Sequence, residues 1–369
     1  MRTWTRERLQ DYRSRVRGCI LGGAVGDALG APIEFLSLDA ILRAHGADGL
    51  TDLAPMNGDR RGLVTDDTQM TLFTAEGLIR ASVRADRGIC HAPSVVYQAY
   101  LRWLATQDEP APPPDVSGWL GRQGWLYAQR APGNACISGL RASRMGTREA
   151  PANPRSKGCG TVMRSAPFGL LPPPGWEPRK CFDLSVDCAV QTHGHPTGYL
   201  AAGALAAIVR ILVDGARLDD AVDETLALLK TYAGHEETTE ALRAARAAAE
   251  QPVGPQIVER LGGGWVAEDA LAIAVYCALA HPDPADIRKA LLLAVNHSGD
   301  SDSTGAVCGN LLGVLHGETA LPPDWVAEIE GRGTILEVAD DFAMEFTQGG
   351  QLHGDYGPFT RWRERYPGG

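Results

Sequence analysis

A chain of 369 residues, 44% of them hydrophobic, is long enough to bury a sizeable core and leaves little room for disorder. The formal charge of 35 − 45 = −10 argues against a broad basic face for nucleic acid, but not against a phosphate-bearing ligand whose charge bound cations would offset. Eight cysteines without a CxxC pair, several inside apolar runs, point to reduced, mostly buried thiols rather than a disulfide frame or a zinc site.

Residues 1–18 form a charged stretch in which the arginines between Arg2 and Arg17 stand against Glu7 and Asp11, as on a solvated helix face. The apolar run that follows is Gly-rich and broken by Asp27, unlike a signal sequence. Runs such as YLAAGALAAIV stop short of a membrane span, so the expectation is a soluble cytoplasmic monomer without membrane contact. A first helix ends near Gly30-Ala31-Pro32, just before Glu34. Further helical periodicity covers residues 66–86, 196–213, 218–232, 236–250, 267–280 and 285–296. Between these lie a Pro-rich connection at 106–118, a long Gly/Pro/Ser/Arg-rich loop at 130–160 and a break at 171–178. From Gly349 onward the tail reads as weakly ordered or irregular. Strand-like alternation is nearly absent. The fold class is all-α, a single large compact domain over 1–369.

Two segments carry the chemistry. Thr65, Asp66, Asp67 and Thr68 open one apolar helix, and Asp300, Asp302 and Ser303 open another. Each alone is a good helix N-terminus, where Asp, Ser and Thr satisfy free amides and suit the dipole. If both termini face one cavity, four carboxylates converge. They would repel unless cations neutralise them, and hard oxygen donors without a nearby Cys or His suit Mg²⁺, Mn²⁺ or Ca²⁺ rather than zinc, in a pair about 3.5–4 Å apart. On spacing alone the metal pair and the two caps stand level. Gly305, Gly309 and Gly313 recur every fourth position on the last of these helices, and Gly22, Gly26 and Gly30 do so around Asp27, which predicts close helix packing. Asp27 reads as a buried acceptor behind the ligands, and Asn296 and His297 as supporting or capping groups. His193 and His195 in QTHGHPTG read as a helix-entry loop that contacts phosphate.

The ordered set GCILGGAVGDALGAPIEF, TDDTQMTLFTAEGL, GCGTVMRSAPFGLL, THGHPTGYLAAGALAAIV, GGGWVAEDALAIAVYCAL and NHSGDSDSTGAVCGNLLG resembles the ADP-ribosylglycohydrolase family, which includes the dinitrogenase reductase-activating glycohydrolase and the ADP-ribosyl-acceptor hydrolases. The resemblance runs from about residue 17 to 317, leaving 318–369 as a C-terminal extension packed on the domain. It implies an orthogonal all-α bundle and two divalent cations, Mg²⁺ first and Mn²⁺ second. Their ligands would be Thr65, Asp66, Asp67, Asp300, Asp302 and Ser303, with Glu34 close by on a segment that moves in some members. It further implies an ADP-ribose cradle at Ser156, Lys157, Gly158, Cys159, Gly160 and Thr161, His193 near the diphosphate, and Gly264 and Trp265 near the adenosine end. Trp265 serves equally well as a core anchor. The cradle departs from the usual Gly-Asn-Gly in having Cys159, and Lys157 replaces an aromatic found in some members; Lys157 pairs with a phosphate or faces solvent. The acidic set is complete, unlike that of the crystallin-like members.

The implied reaction is hydrolysis of the bond from ribose C1 to an acceptor, with Glu34, Asp66 or Asp302 handling the proton, as carboxylates do in glycoside hydrolysis. Arginine on protein is the expected acceptor, because THGHP and GWVAE look closer to the arginine-directed branch. Serine, O-acetyl-ADP-ribose and nucleic-acid ends stay open, as do a dinuclear phosphohydrolase and a protein that binds ADP-ribose or a toxin without cutting.

Overall fold

Thr5 starts the first helix by accepting the Arg8 amide on its hydroxyl at 3.3 Å. The structure, a computed structural model, describes residues 4–56, 58–86, 88, 90–353 and 362–368. In chain order the helices are α1 (Arg6–Gly30), α2 (Leu38–His45), α3 (Asp66–Ala85), α4 (Ala92–Asp108), α5 (Asn134–Leu140), α6 (Ala166–Gly169), α7 (Pro178–Ala189), α8 (Pro196–Val213) and α9 (Leu218–Leu229). They continue with α10 (Glu236–Ala249), α11 (Pro255–Leu261), α12 (Ala267–Ala280), α13 (Ile287–Val295), α14 (Ser301–His316), α15 (Pro323–Glu328), α16 (Arg332–His353) and α17 (Trp362–Arg365). Among the described residues β-structure is confined to two isolated bridges, Met56–Arg60 and Gly158–Val266. The domain is all-α, as the periodicity predicts; α3, α8, α9, α10, α12 and α13 begin and end close to where the apolar repeat does, whereas α4, α7 and α16 lie outside the stretches it marked.

At the centre lies α8, buried from Leu200 to Leu212 and packed against α7, α9 and α12. It is longer than the run YLAAGALAAIV suggests. By length and composition it could cross a membrane, but 83% of the stretch is covered by protein. Pro196 at its first turn supplies no amide where none is needed, and His195 caps it by accepting the Thr197 amide at 3.3 Å.

The closest packing in the molecule is between α1 and α14, which run antiparallel. A methyl on Gly18 would overlap the Gly313 carbonyl, on Gly22 that of Gly309, and on Gly26 that of Gly305; one on Gly30 would strike the backbone of Ser301 and Asp302. The regular glycine spacing is thus a backbone-to-backbone seam, whose dispersion contacts offset a helix-propensity cost of about 1 kcal/mol per glycine. Asn310 closes it polarly, donating to the Cys19 carbonyl at 2.8 Å.

Part of the arginine-rich start of α1 is the solvated face expected, with Arg6, Arg8 and Arg13 exposed, while Arg15 and Arg17 are half-buried and Arg2 lies outside the described residues. Arg13 and Arg17 both bond Asp340 of α16 (2.7 and 2.6 Å), Arg17 also reaches Glu318, and Arg15 donates to the carbonyls of Val314 and Leu315 at the end of α14. The carbonyl-rich helix end attracts the cation, and the partly exposed pairs orient α16 across α1 and α3 more than they stabilise it. The tail also differs from expectation. Helix α16 continues through Gly349 to His353, where Glu345 accepts both the His353 ring and the Trp362 indole at 2.8 Å. Residues 354–361 of that tail lie outside the described residues.

Substituting Gly26→Val should lower the urea unfolding free energy by about 3 kcal/mol or more, because neither helix backbone can retreat. Gly333→Ala, in an exposed turn of α16 with nothing within 4 Å of the added carbon, should be neutral or stabilise by up to about 1 kcal/mol. Equal effects of the two would refute the seam.

Candidate metal centre

Helix α3 begins at Thr65, whose extended backbone (φ −105°, ψ −163°) lets its hydroxyl face the Asp67 amide. A second cap comes from α1. The Asp27 carboxylate accepts the Thr65 amide (3.0 Å), the Thr65 hydroxyl (2.9 Å), the Thr68 amide (3.1 Å) and the Thr68 hydroxyl (2.5 Å). Asp27 is fully buried and so fixes the first turn of α3 from behind. Helix α14 begins in the same way, Asp300 accepting the Ser303 amide at 3.3 Å. The Asp300 amide is held by the Gly263 carbonyl at 2.9 Å, and the Phe35 amide by that of Gly299 at 3.3 Å.

The two N-termini meet. The Ser303 hydroxyl donates to Asp67 at 2.9 Å across a sequence separation of 236 residues. Oxygens of Glu34, Asp300 and Asp302 lie within 4.8 Å of one another. These groups and Asp66 open on a cavity of about 660 Å³, walled also by residues 131–135 and by Gly158, Cys159, Gly160, Met163, His193 and Trp265. Among the described residues no lysine or arginine lines it. The double-cap reading is therefore incomplete: both segments cap helices, and both turn carboxylates into one space.

Burial raises these acids further than their hydrogen bonds lower them. Glu34 is pushed up to about 8, by burial first and then by Asp300 and Asp66. Asp66 also rises to about 8, against the Gly133 amide that bonds it at 3.3 Å, and Asp27 to about 6. Asp67 is driven well above its usual value by burial and then by the charges of Asp27, Asp66 and Asp300, and Asp302 likewise by burial and then by those of Asp67, Asp300 and Glu34. His193 goes the other way, down to about 3, because it is buried and near Arg164. The donor set is hard oxygen, crowded and without a basic partner on the wall, which is what a pair of divalent cations needs; the residues fit that cofactor.

The other predicted residues divide. His193 is on the wall, its Nδ1 2.8 Å from the Thr192 hydroxyl, with Gly158 and Gly160 against its Nε2 edge. Trp265, 43% exposed, is stacked on Phe35 at 5.2 Å, so it is not a core anchor. Its carbonyl accepts the Cys159 amide at 3.1 Å and the Lys157 carbonyl accepts the Ala267 amide at 2.9 Å, tying the two loops together. Gly264, at φ +77°, lies behind Asp300 rather than on the wall. Thr65 is likewise off the wall, its hydroxyl shared between Asp27 and Asp67. So are Ser156 and Thr161, the latter bonded to the Gly198 carbonyl at 2.5 Å. Lys157 neither reaches into the cavity nor faces solvent alone; it is clamped by Glu237 (2.8 Å) and Glu268. Asn296 braces the Leu50 backbone, at 2.7 and 2.9 Å.

Some site residues went unread in the sequence. Phe35 holds a left-handed backbone (φ 68°) with its ring 67% exposed at the cavity mouth. Arg164 is fully buried. It donates to the Gly160 carbonyl (2.6 Å) and the Thr192 hydroxyl (2.7 Å), and lies 4.6 Å over the Tyr100 ring, so it sets the position of the 158–160 loop. The residues at 131–135 form the wall opposite. The pair Met163-Arg164 after a Gly-rich loop is the one available signal for Arg164; residues 131–135, which run into α5, fall in the 130–160 loop, whose length without a helical period is itself the mark of a functional or mobile segment.

Comparison with known proteins shows the family and the fold. The family profile described as ADP-ribosylglycohydrolase matches residues 8–351, beyond the 17–317 marked by the motifs. The ADP-ribosyl-dinitrogen reductase glycohydrolase of Rhodospirillum rubrum is 26% identical, over 86% of this chain and 90% of its own. An ADP-ribosylarginine hydrolase of Pseudomonas putida is 25% identical, over 89% of this chain and 77% of its own. A solved ADP-ribosylglycohydrolase-related protein complex superposes with a TM-score of 0.65 at 24% identity, covering 92% of this chain and all of its own, and so shares the fold.

The raised acids give a signed pH dependence. Unfolded, these carboxyls titrate near about 4. Folded, Glu34 and Asp66 titrate at about 8, so the native state holds more protons in between and loses stability as pH rises. Buried neutral histidines such as His193 act oppositely, but only below about 6.5. Between pH 6.5 and 8 the melting temperature in EDTA should fall, and added Mg²⁺ should raise it most at pH 8. A metal-free melting temperature that rises across that range would contradict the buried acid cluster.

Proposed function

The chain belongs to the ADP-ribosylglycohydrolase family, and we propose that within it the chain is a dinuclear-metal-dependent hydrolase that frees ADP-ribose from modified arginine on protein. That it is a hydrolase of ADP-ribose glycosidic linkages follows from the family. The observation that carries the finer reading is the meeting of two helix N-termini at the Ser303–Asp67 bond, with Glu34, Asp300 and Asp302 gathered beside it.

Asp66, Asp67, Asp300, Asp302 and Ser303 would hold the ions, with Thr65 keeping Asp67 in place. When bound, two divalent cations would orient the ribose hydroxyls and lower the pKa of a water. Glu34 stands at the same oxygens but on the turn after α1, outside both ligand motifs. Its raised pKa suits a group that carries a proton near neutral pH and delivers it to the leaving nitrogen, or takes one from water. Asp66 and Asp302 are the other candidates for that transfer. His193, neutral at physiological pH, offers a hydrogen bond rather than a charge to the diphosphate. With Nδ1 accepting the Thr192 hydroxyl, Nε2 carries the donating proton. The walls at Gly158, Cys159 and Gly160 leave backbone close to the ligand. The ring of Trp265, stacked on Phe35 but 43% exposed at the cavity mouth, offers a surface for a planar group, which suits the adenosine end. Arginine as acceptor is favoured by the name of the Pseudomonas relative, an ADP-ribosylarginine hydrolase, and a protein acceptor by that of the Rhodospirillum relative. Eight free thiols are consistent with action in the cytoplasm, and we take the chain to work there as a monomer.

The test is release of free ADP-ribose from mono-ADP-ribosylated arginine and serine peptides in Mg²⁺, Mn²⁺ or EDTA. Cation-dependent release from the arginine peptide is expected. Release from serine alone would move the acceptor, and tight ADP-ribose binding without turnover would overturn the enzyme reading. In the same assay Asp302→Asn should cost about a thousandfold or more in kcat. Its metal-free melting temperature at pH 8 should not fall, because a crowded, buried acid has been replaced by a neutral amide of the same shape. Wild-type turnover by this variant would sink the assignment.

A further inference from the structure

One wall of the acidic cavity is made of sulfur. The Cys159 Sγ donates to Asp300 Oδ2 at 2.8 Å and lies 3.6 Å from the Ser303 hydroxyl. Met163 Sδ approaches the same hydroxyl at 4.0 Å. Both residues line the cavity, and Ser303 in turn bonds Asp67 at 2.9 Å. Cys159 is placed there by backbone rather than by chance. Its amide is fixed to the Trp265 carbonyl at 3.1 Å, and the next residue, Gly160, is held through its carbonyl by Arg164 at 2.6 Å. The remaining cysteines on the buried helices pack in the core.

We infer that Cys159 is a sulfur ligand at the metal centre, on the side of Asp67, Asp300 and Ser303, and that it gives this position affinity for thiophilic divalent cations such as Zn²⁺ and Co²⁺. The inference rests on the metal-dependent reading above. Its physical basis is that Cys159 Sγ and Asp300 Oδ2 stand on the same side of the cavity and share one proton at 2.8 Å. An ion held by both would lie off that line and spread the two groups apart, since metal–sulfur and metal–oxygen bonds of about 2.3 and 2.0 Å are together longer than the gap. The S–H bond would break, its proton would leave to solvent and a metal–sulfur bond would form, with no change of oxidation state. An oxygen-only site selects hard cations, whereas a thiolate draws softer first-row ions, so position 159 sets metal preference.

The measurement is titration of the metal-free full-length protein with Co²⁺, without substrate. A sulfur-to-cobalt charge-transfer band in the near ultraviolet is expected. In Cys159→Ser that band should vanish and Zn²⁺ affinity should fall about tenfold or more, while Mg²⁺ affinity changes less than about threefold. A band that persists in the variant, or equal Zn²⁺ affinity in the two proteins, overturns the proposal. Should the variant fold poorly, cadmium NMR of the wild-type chain decides: a signal in the sulfur-ligated range supports the bond, and one in the oxygen-only range refutes it. Each readout is taken without turnover. A protein that shows the band but releases no ADP-ribose fails the hydrolase reading alone, and one that releases ADP-ribose in Mg²⁺ without the band fails this inference alone.

Discussion

The antiparallel contact of α1 with α14 is the constraint from which the site follows. Glycine faces carbonyl at Gly18–Gly313, Gly22–Gly309 and Gly26–Gly305, and the last pairing, Gly30 against Ser301 and Asp302, is already the edge of the acidic cavity. A seam without side chains lets the end of α1 lie directly on the start of α14. Asp27 then reaches the start of α3, and the turn that follows Gly30 carries Glu34 to Asp300 and Asp302. A larger residue in the seam would part the helices, and would part the carboxylates with them. Packing and chemistry depend here on the same few missing methyl groups.

That arrangement is costly in the absence of ions. Carboxylates are buried together with no basic residue on the wall, and burial and mutual repulsion push their pKa values up. The positive ends of α3 and α14 offset part of this, as does the capping of α3 by Asp27 and of α14 by Asp300. The rest is what a divalent ion would relieve. Local instability and function share one cause, as they often do where like charges are held close.

The opposite side of the cavity is built by other means. Residues 157–159 run beside 265–267 through the Gly158–Val266 bridge, and buried Arg164 draws the Gly160 carbonyl inward. Lys157, turned away and clamped by two glutamates, holds the loop rather than the ligand. The result is an edge with Cys159 and Met163 facing the Ser303 hydroxyl and the carboxylates, and with the Phe35–Trp265 stack at the mouth.

Sequence by itself determined the helices, because apolar residues at a period of 3.6 bury one face whatever the partner, and it determined the glycine seam from a spacing of four. It also marked Asp66, Asp67, Asp300, Asp302 and Ser303, since caps and carboxylates in short clusters are local features. Whether those clusters were two separate caps or one centre lay beyond it: the Ser303–Asp67 bond spans 236 residues, and no local pattern encodes such a distance. The same holds for the N-terminal arginines, whose partner Asp340 sits at the other end of the chain, and for Lys157, whose charge is answered by Glu237 and Glu268 on distant helices. Phe35 and Arg164 acquire their roles from what surrounds them, a left-handed turn at a cavity mouth and a buried loop in need of a donor. Local chemistry is written in the order of residues; which charges meet, and which face the ligand, is settled only when the helices pack.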